Sequence, residues 1–153
     1  MTISRETEMG DSAIDDFLSR HETGVLALSS SADSDPYAIP VSYGFAADQR
    51  RFYLRLVSTP DSEKRAFLSS SPEARLVVYS EEDPVYRSVI ATGSLERVAP
   101  EDLTIDEIEQ YGRAKRPLFE IWAESRRDLD IELYELAPDA VSGRRVEVDR
   151  QES

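Results

Sequence analysis

The sequence has no cysteine, one histidine, one tryptophan, two methionines and only two lysines, Lys64 and Lys115. Without cysteine there is no disulfide frame, no thiolate nucleophile, no iron–sulfur cluster and no cysteine zinc site. The lone histidine, His21, excludes any metal site needing two imidazoles, and a Ser-His-Asp triad has only this residue to build on. At the end of a helical stripe its ordinary role is to meet the last carbonyls of that helix. The six glycines, at 10, 24, 44, 93, 112 and 143, are too scattered for a dinucleotide fingerprint or a Walker loop. No stretch approaches the roughly 20 apolar residues that span a bilayer. Residues 1–11 are acidic and polar, with no apolar core for a signal peptide. The expectation is a soluble, cytoplasmic protein with no membrane partner.

Positive charge is also scarce. Against 31 Asp and Glu stand 18 Lys and Arg, a formal net charge of −13. Such a surface repels phosphate polyanions, and the basic clusters at 113–116, 126–127 and 144–145 are short, so no nucleic-acid partner is expected. An acidic chain poor in lysine resembles in composition the proteins that stay soluble in concentrated salt, where screening shortens the range of self-repulsion; a halophilic character is expected. The carboxylates are too numerous for any pair to mark an acid–base dyad.

What is present reads as one domain over residues 1–153, with a core at about 12–145 and loose ends. Ser12 and Asp15 resemble a capping-box variant, and Ala13, Ile14, Phe17 and Leu18 share a stripe, which predicts a helix over 12–21. Val25 to Leu28 form an unbroken apolar run, read as a buried strand. Residues 37–45 and 52–57 alternate and are joined by a short polar turn, the pattern of an antiparallel hairpin. A helix is predicted over about 59–70, with Thr59 as its cap and Pro60 in its first turn. Further strands are predicted at 76–79, at 85–98 with Gly93 as a bulge or bend, and at 131–136, with helical pieces between 105 and 122. Six mostly antiparallel strands with inserted helices and no βαβ alternation predict a mainly β fold, a small barrel.

Two features carry chemistry. A strand ending near Ser58 runs into Thr59-Pro60-Asp61-Ser62-Glu63-Lys64-Arg65, which sets hydroxyls, free amides and cations around a helix start, the inventory of a phosphate site or of an ordinary capped helix. Pro40 interrupts one strand of the hairpin and Arg55 sits in the middle of the other. A proline gives the ladder no donor, so that stretch is an edge or a wall whose partner is not a strand, and a flat ligand fits such a wall.

The runs Pro40-Val41-Ser42-Tyr43, Arg51-Phe52-Tyr53-Leu54, Ser62-Glu63-Lys64, Ser71-Pro72-Glu73-Ala74-Arg75-Leu76, Tyr86-Arg87-Ser88-Val89 with Gly93, and Ser142-Gly143-Arg144-Arg145 resemble, in this order, the pyridoxamine 5′-phosphate oxidase-like FMN-binding split-barrel family, in its nitroimidazole-resistance-type branch. The resemblance implies a six-stranded antiparallel split β-barrel that forms a homodimer, with FMN in grooves between the subunits. It implies that Pro40, Val41 and Ser42 lie along the isoalloxazine, with Arg55 on the facing strand, and that Ser58, Thr59, Ser62 and Lys64 surround the phosphate. Arg87 and Ser88 are implied in the same groove, and Trp122 as a stacking contact. Members of that branch often carry a histidine where this chain has Arg55, so histidine-linked chemistry does not transfer. The implied activity is a flavin-dependent oxidoreduction drawing on NAD(P)H and a small electron acceptor, with no metal. The alternatives are a flavin or haem carrier, for which His21 is the one imidazole, and a reductase using the deazaflavin F420.

Overall fold

A computed structural model describes residues 2–29, 36–58, 73–105, 107–109 and 130–149. In chain order these form β1 (Thr2–Glu8), α1 (Asp11–Arg20), β2 (Thr23–Ser29), β3 (Tyr37–Ala46), β4 (Arg51–Ser58), β5 (Glu73–Glu82), β6 (Val85–Val98), a 3-10 turn (Pro100–Asp102) and β7 (Asp130–Asp149). The strands pair antiparallel in the order β1-β7-β4-β3-β2-β5-β6, and β6 pairs back onto β7. Six strands therefore close into a barrel and β1 lies outside it as a seventh, paired to the far half of β7 from Glu8↔Arg144 to Thr2↔Asp149. The barrel agrees with the sequence reading. β1 does not: residues 2–8, read as part of a loose end, are polar apart from Ile3 and are held by backbone pairing to β7.

β7 is much longer than the predicted 131–136. Its first part pairs with β4 from Leu136↔Phe52 to Asp130↔Ser58, and its later part exchanges β4 for β1, while β6 lies along its other edge from Leu133 to Glu147. The exchange falls near an irregularity at Gly93, where register passes from Thr92↔Ala140 to Gly93↔Pro138 and leaves Asp139 unopposed. Gly93 is required there, because a Cβ would stand 2.7 Å from the Ala137 carbonyl oxygen and 3.0 Å from the Pro138 Cα, both backbone atoms.

The core follows from alternation. Leu26, Leu28, Val41, Tyr43, Phe45, Phe52, Leu54, Leu56, Leu76, Val78, Val89, Ala91, Leu95, Tyr134 and Leu136 point inward and are buried. Phe52 packs between Phe45 and Tyr43, with ring centroids at 4.8 and 5.6 Å. α1 adds Ile14, Phe17 and Leu18 to the same cluster. Its observed start is one residue earlier than predicted: Gly10 caps it with no side-chain bond, so the Ser12–Asp15 box is not formed. Its end matches the reading of His21, whose Nδ1 donates to the Phe17 carbonyl at 2.8 Å while the ring lies 4.2 Å from that of Phe17.

The Tyr43 hydroxyl donates to the Leu18 carbonyl at 2.8 Å and ties α1 to β3. Burial pushes its ionisation far above the ordinary tyrosine value of 10, and Glu22 adds to the effect. The folded chain thus keeps the Tyr43 proton at a pH where the unfolded chain loses it, so stability falls as pH rises past about 10 and is unaffected by this group below that point. Thermal unfolding followed at rising alkaline pH is expected to show this decline, and Tyr43→Phe is expected to flatten it while lowering neutral-pH stability by about 1 kcal/mol through the lost hydrogen bond.

Candidate functional site

β3 and β4 pair from Ala46↔Arg51 only as far as Tyr43↔Leu54. Beyond that point β3 continues to Tyr37 against β2 alone, and β4 continues to Ser58 against β7 alone. A seam therefore opens in the barrel wall between residues 37–42 and 55–58. Pro40, lacking an N–H, lies in the one-sided stretch, as its chemistry requires.

Alternation sorts the side chains at this seam. Val41 turns into the core and is wholly buried, so it offers the seam its backbone only. Pro40 is exposed on the outer face, while Ser42, on the same face, is 1% exposed and its Oγ has no hydrogen-bond partner. Arg55 is the next residue on β4 past the last pair, as Ser42 is on β3; it is half-buried and has no ion pair among the described residues. Ser58 ends β4 opposite Asp130. Thr59, Ser62, Lys64 and Trp122 lie outside the described residues.

One flank of the seam is closed by Tyr53, buried against Ala46, Leu103 and Leu133. Burial raises the ionisation of the Tyr53 phenol, Glu135 and Glu107 raise it further, and Arg51 opposes them. The Tyr53 hydroxyl donates to the Gln49 Oε1 at 3.0 Å. Leu103 is brought there by the segment after β6, where Thr104 and Glu107 exchange side-chain to backbone bonds at 3.2 Å, a reciprocal capping box.

On the other flank, register sets Pro40, Val25, Val77, Ile90 and Ser142 side by side across five strands, with Ala38, Ala27, Arg75, Thr92 and Ala140 as the adjacent row. Ser88 shares this outer face and is paired with Tyr79, which is 60% exposed. Arg87 leaves β6 on the opposite face, paired with Ser80 and Arg145. The structure therefore gathers Pro40, Ser42 and Arg55 at the seam, sets Ser88 farther along the same outer wall, and turns the Val41 and Arg87 side chains away from it. Sequence reasoning missed Val25, Val77, Ile90 and Tyr79. Their signal was present: unbroken apolar runs at 25–28 and 76–79, instead of alternation, mean that both faces of those strands are apolar.

Among the described residues no three metal-ligating side chains come together, and no helix is long and apolar enough to cross a membrane. A family model described as pyridoxamine 5′-phosphate oxidase matches residues 10–145. No curated protein matches the chain. Among solved structures, an FAD-binding protein from Mesorhizobium loti is similar at a TM-score of 0.68 and 19% identity, covering 94% of this chain and 98% of that one. The FAD-binding protein of Mycobacterium smegmatis is similar at 0.66 and 14% identity, covering 94% and 100%. An FAD- and haem-binding protein of the same organism is similar at 0.64 and 17% identity, covering 98% and 77%.

Proposed function

This chain belongs to the pyridoxamine 5′-phosphate oxidase family, and on that premise we propose that it is a flavoprotein which binds FMN along the β3–β4 seam, in a site completed by a second copy, and serves as a flavin-dependent oxidoreductase. The observation that carries the reading is the Ser42 hydroxyl, buried without a hydrogen-bond partner one residue past the last β3–β4 pair, where the sheet fails to close; Arg55, in the same place on β4, is half-buried and has no ion pair among the described residues. A buried polar group left unsatisfied costs about 1–3 kcal/mol, so an enclosed hydroxyl without a partner at the edge of the seam favours a site that gains a partner on binding. The flavin-binding proteins of similar fold support the same cofactor class.

In this reading the outer side of β3 at Pro40 and Ser42 and the Arg55 side chain face the ring, and Ser58, Thr59, Ser62 and Lys64 hold the phosphate at the start of the segment that follows β4. Bound flavin supplies electron transfer between a hydride donor and a small acceptor. The protein's own part is to position the ring, anchor the phosphate, and present neutral or cationic donors to it.

A single barrel of six strands has an interior filled by its own side chains, so a ring on the outer wall needs a second surface to cover it. The outer rows from Pro40 to Ser142 and from Ala38 to Ala140 contain no carboxylate, and Arg75 is their only charge, although the chain carries 31 acids. In a molecule of net charge −13 such a face is where two copies meet with least repulsion. Titration of purified protein with FMN, followed by quenching of flavin fluorescence, tests the reading. Ser42→Ala is expected to weaken FMN about tenfold, near 1.4 kcal/mol, without lowering the stability of the flavin-free chain, since it breaks no existing bond; an unchanged affinity would remove Ser42 from the site.

A further inference from the structure

We propose that Arg87 and Arg145, which meet on adjacent strands at one rim of the barrel, form a binding site for a phosphate group, free or carried by a small molecule, apart from the flavin seam. The site is independent of the flavin reading, which leaves both side chains unused.

Register brings the pair together. Arg87 on β6 stands directly opposite Arg145 on β7, with Ser80 beyond it on β5 and Thr7 beyond Arg145 on β1, so one row crosses four strands. All four side chains share the barrel's inward face, because Val78, Val89 and Gly143, two residues along, are buried, and Gly143 is closed over by Met9 and Ile14. The row is therefore the first beyond the apolar core. Its outer members are short and uncharged, so neither neutralises the two guanidiniums between them, and the enclosed Ser80 Oγ is not a donor to the site.

Like charges directly opposite on neighbouring strands repel, and a chain with 31 acids against 18 bases has carboxylates to spare for separating them. Here one does so: Glu147, on the same strand as Arg145, meets its Nη1 at 3.5 Å. Arg87 is half-buried and has no ion pair among the described residues. Glu82, in the row beyond, is exposed and set off from Glu147 by Val85. Arg144 differs: next to Arg145 in sequence but on the opposite face, it is paired with Glu6 at 2.9 Å. Two guanidiniums against the one carboxylate that meets them leave a local excess of positive charge in a molecule of net charge −13. An anion between them turns the repulsion into charge-assisted hydrogen bonds. A guanidinium only donates, and one arginine in a bidentate pair occupies both oxygens of a carboxylate. A tetrahedral phosphate offers oxygens to two guanidinium forks at once and brings up to two negative charges, which makes phosphate the better match.

The test titrates the purified, flavin-free chain by calorimetry with inorganic phosphate and, separately, with glycerol phosphate, at one low ionic strength set with chloride. Wild type is expected to bind both saturably, because the free ion and the monoester present the same oxygens. Arg87→Gln and Arg145→Gln are each expected to weaken binding by at least about tenfold, the loss that goes with one charge-assisted bond. Arg144→Gln, on the opposite face, is expected to stay within about twofold of wild type. Without phosphate, Arg87→Gln is expected to melt no lower than wild type, since it removes a repulsion, so its loss of binding is not a loss of fold. FMN affinity, read by fluorescence quenching, is expected to be the same in wild type, Arg87→Gln and Arg145→Gln. The inference is overturned by a wild type with no saturable phosphate binding, by binding that survives Arg87→Gln, by an Arg87→Gln chain that melts lower in phosphate-free buffer, or by FMN affinity that falls in step with phosphate affinity.

Discussion

Phe52→Ala is expected to lower the folding free energy by about 3–5 kcal/mol, the usual cost of deleting a fully enclosed phenyl ring. Phe52 has no exposed surface and sits between the rings of Tyr43 and Phe45 on the strand next to the seam. Neighbours on a closed sheet cannot relax inward far enough to fill the gap without breaking their own pairing, so most of the cavity persists. A domain of this size has only about 5–15 kcal/mol in total, which makes the variant marginal. Denaturant unfolding checks it: the midpoint is expected to fall steeply at unchanged slope. A loss under about 1 kcal/mol would mean that Phe52 is not at the centre of the core.

Val77→Asp is expected to leave the single chain folded but to prevent both self-association and flavin binding. Val77 is half-buried on the outer wall, flanked in its row by Val25 and Ile90. An aspartate there remains hydrated in a lone subunit. Between two copies it becomes a buried, unpaired charge near its symmetry mate, a penalty of about 3–5 kcal/mol, or about two to three orders of magnitude in the dissociation constant. Sedimentation with and without FMN, beside circular dichroism for the fold, reads the effect. A variant that still dimerises and still binds FMN would show that this row is not the contact.

The fold was legible wherever side chains face the core, because burial writes itself into alternation. The hairpin at 37–58, the strand at 85–98 and the bulge at Gly93 were all readable from apolar spacing and one glycine. β1 and the second half of β7 were not, since they hold each other by backbone bonds and carry charged side chains such as Glu6 and Arg144, paired at 2.9 Å. At the site, Pro40 announced a strand with one free side and Arg55 an unusual cation. No sequence pattern says at which residue a ladder stops, and that stop at Tyr43↔Leu54 is what sets Ser42 and Arg55 past the end of the ladder their strands share. The inward turn of Arg87 was equally hidden, because adjacent residues of one strand always oppose and only register says which of them faces out.

The most direct measurement is the stoichiometry and mass of the FMN complex, obtained by titrating the purified chain to saturation and sedimenting the product. Saturable binding of one FMN per chain in a particle of twice the chain mass is the predicted result; a chain that sediments alone and leaves flavin fluorescence unquenched would contradict it.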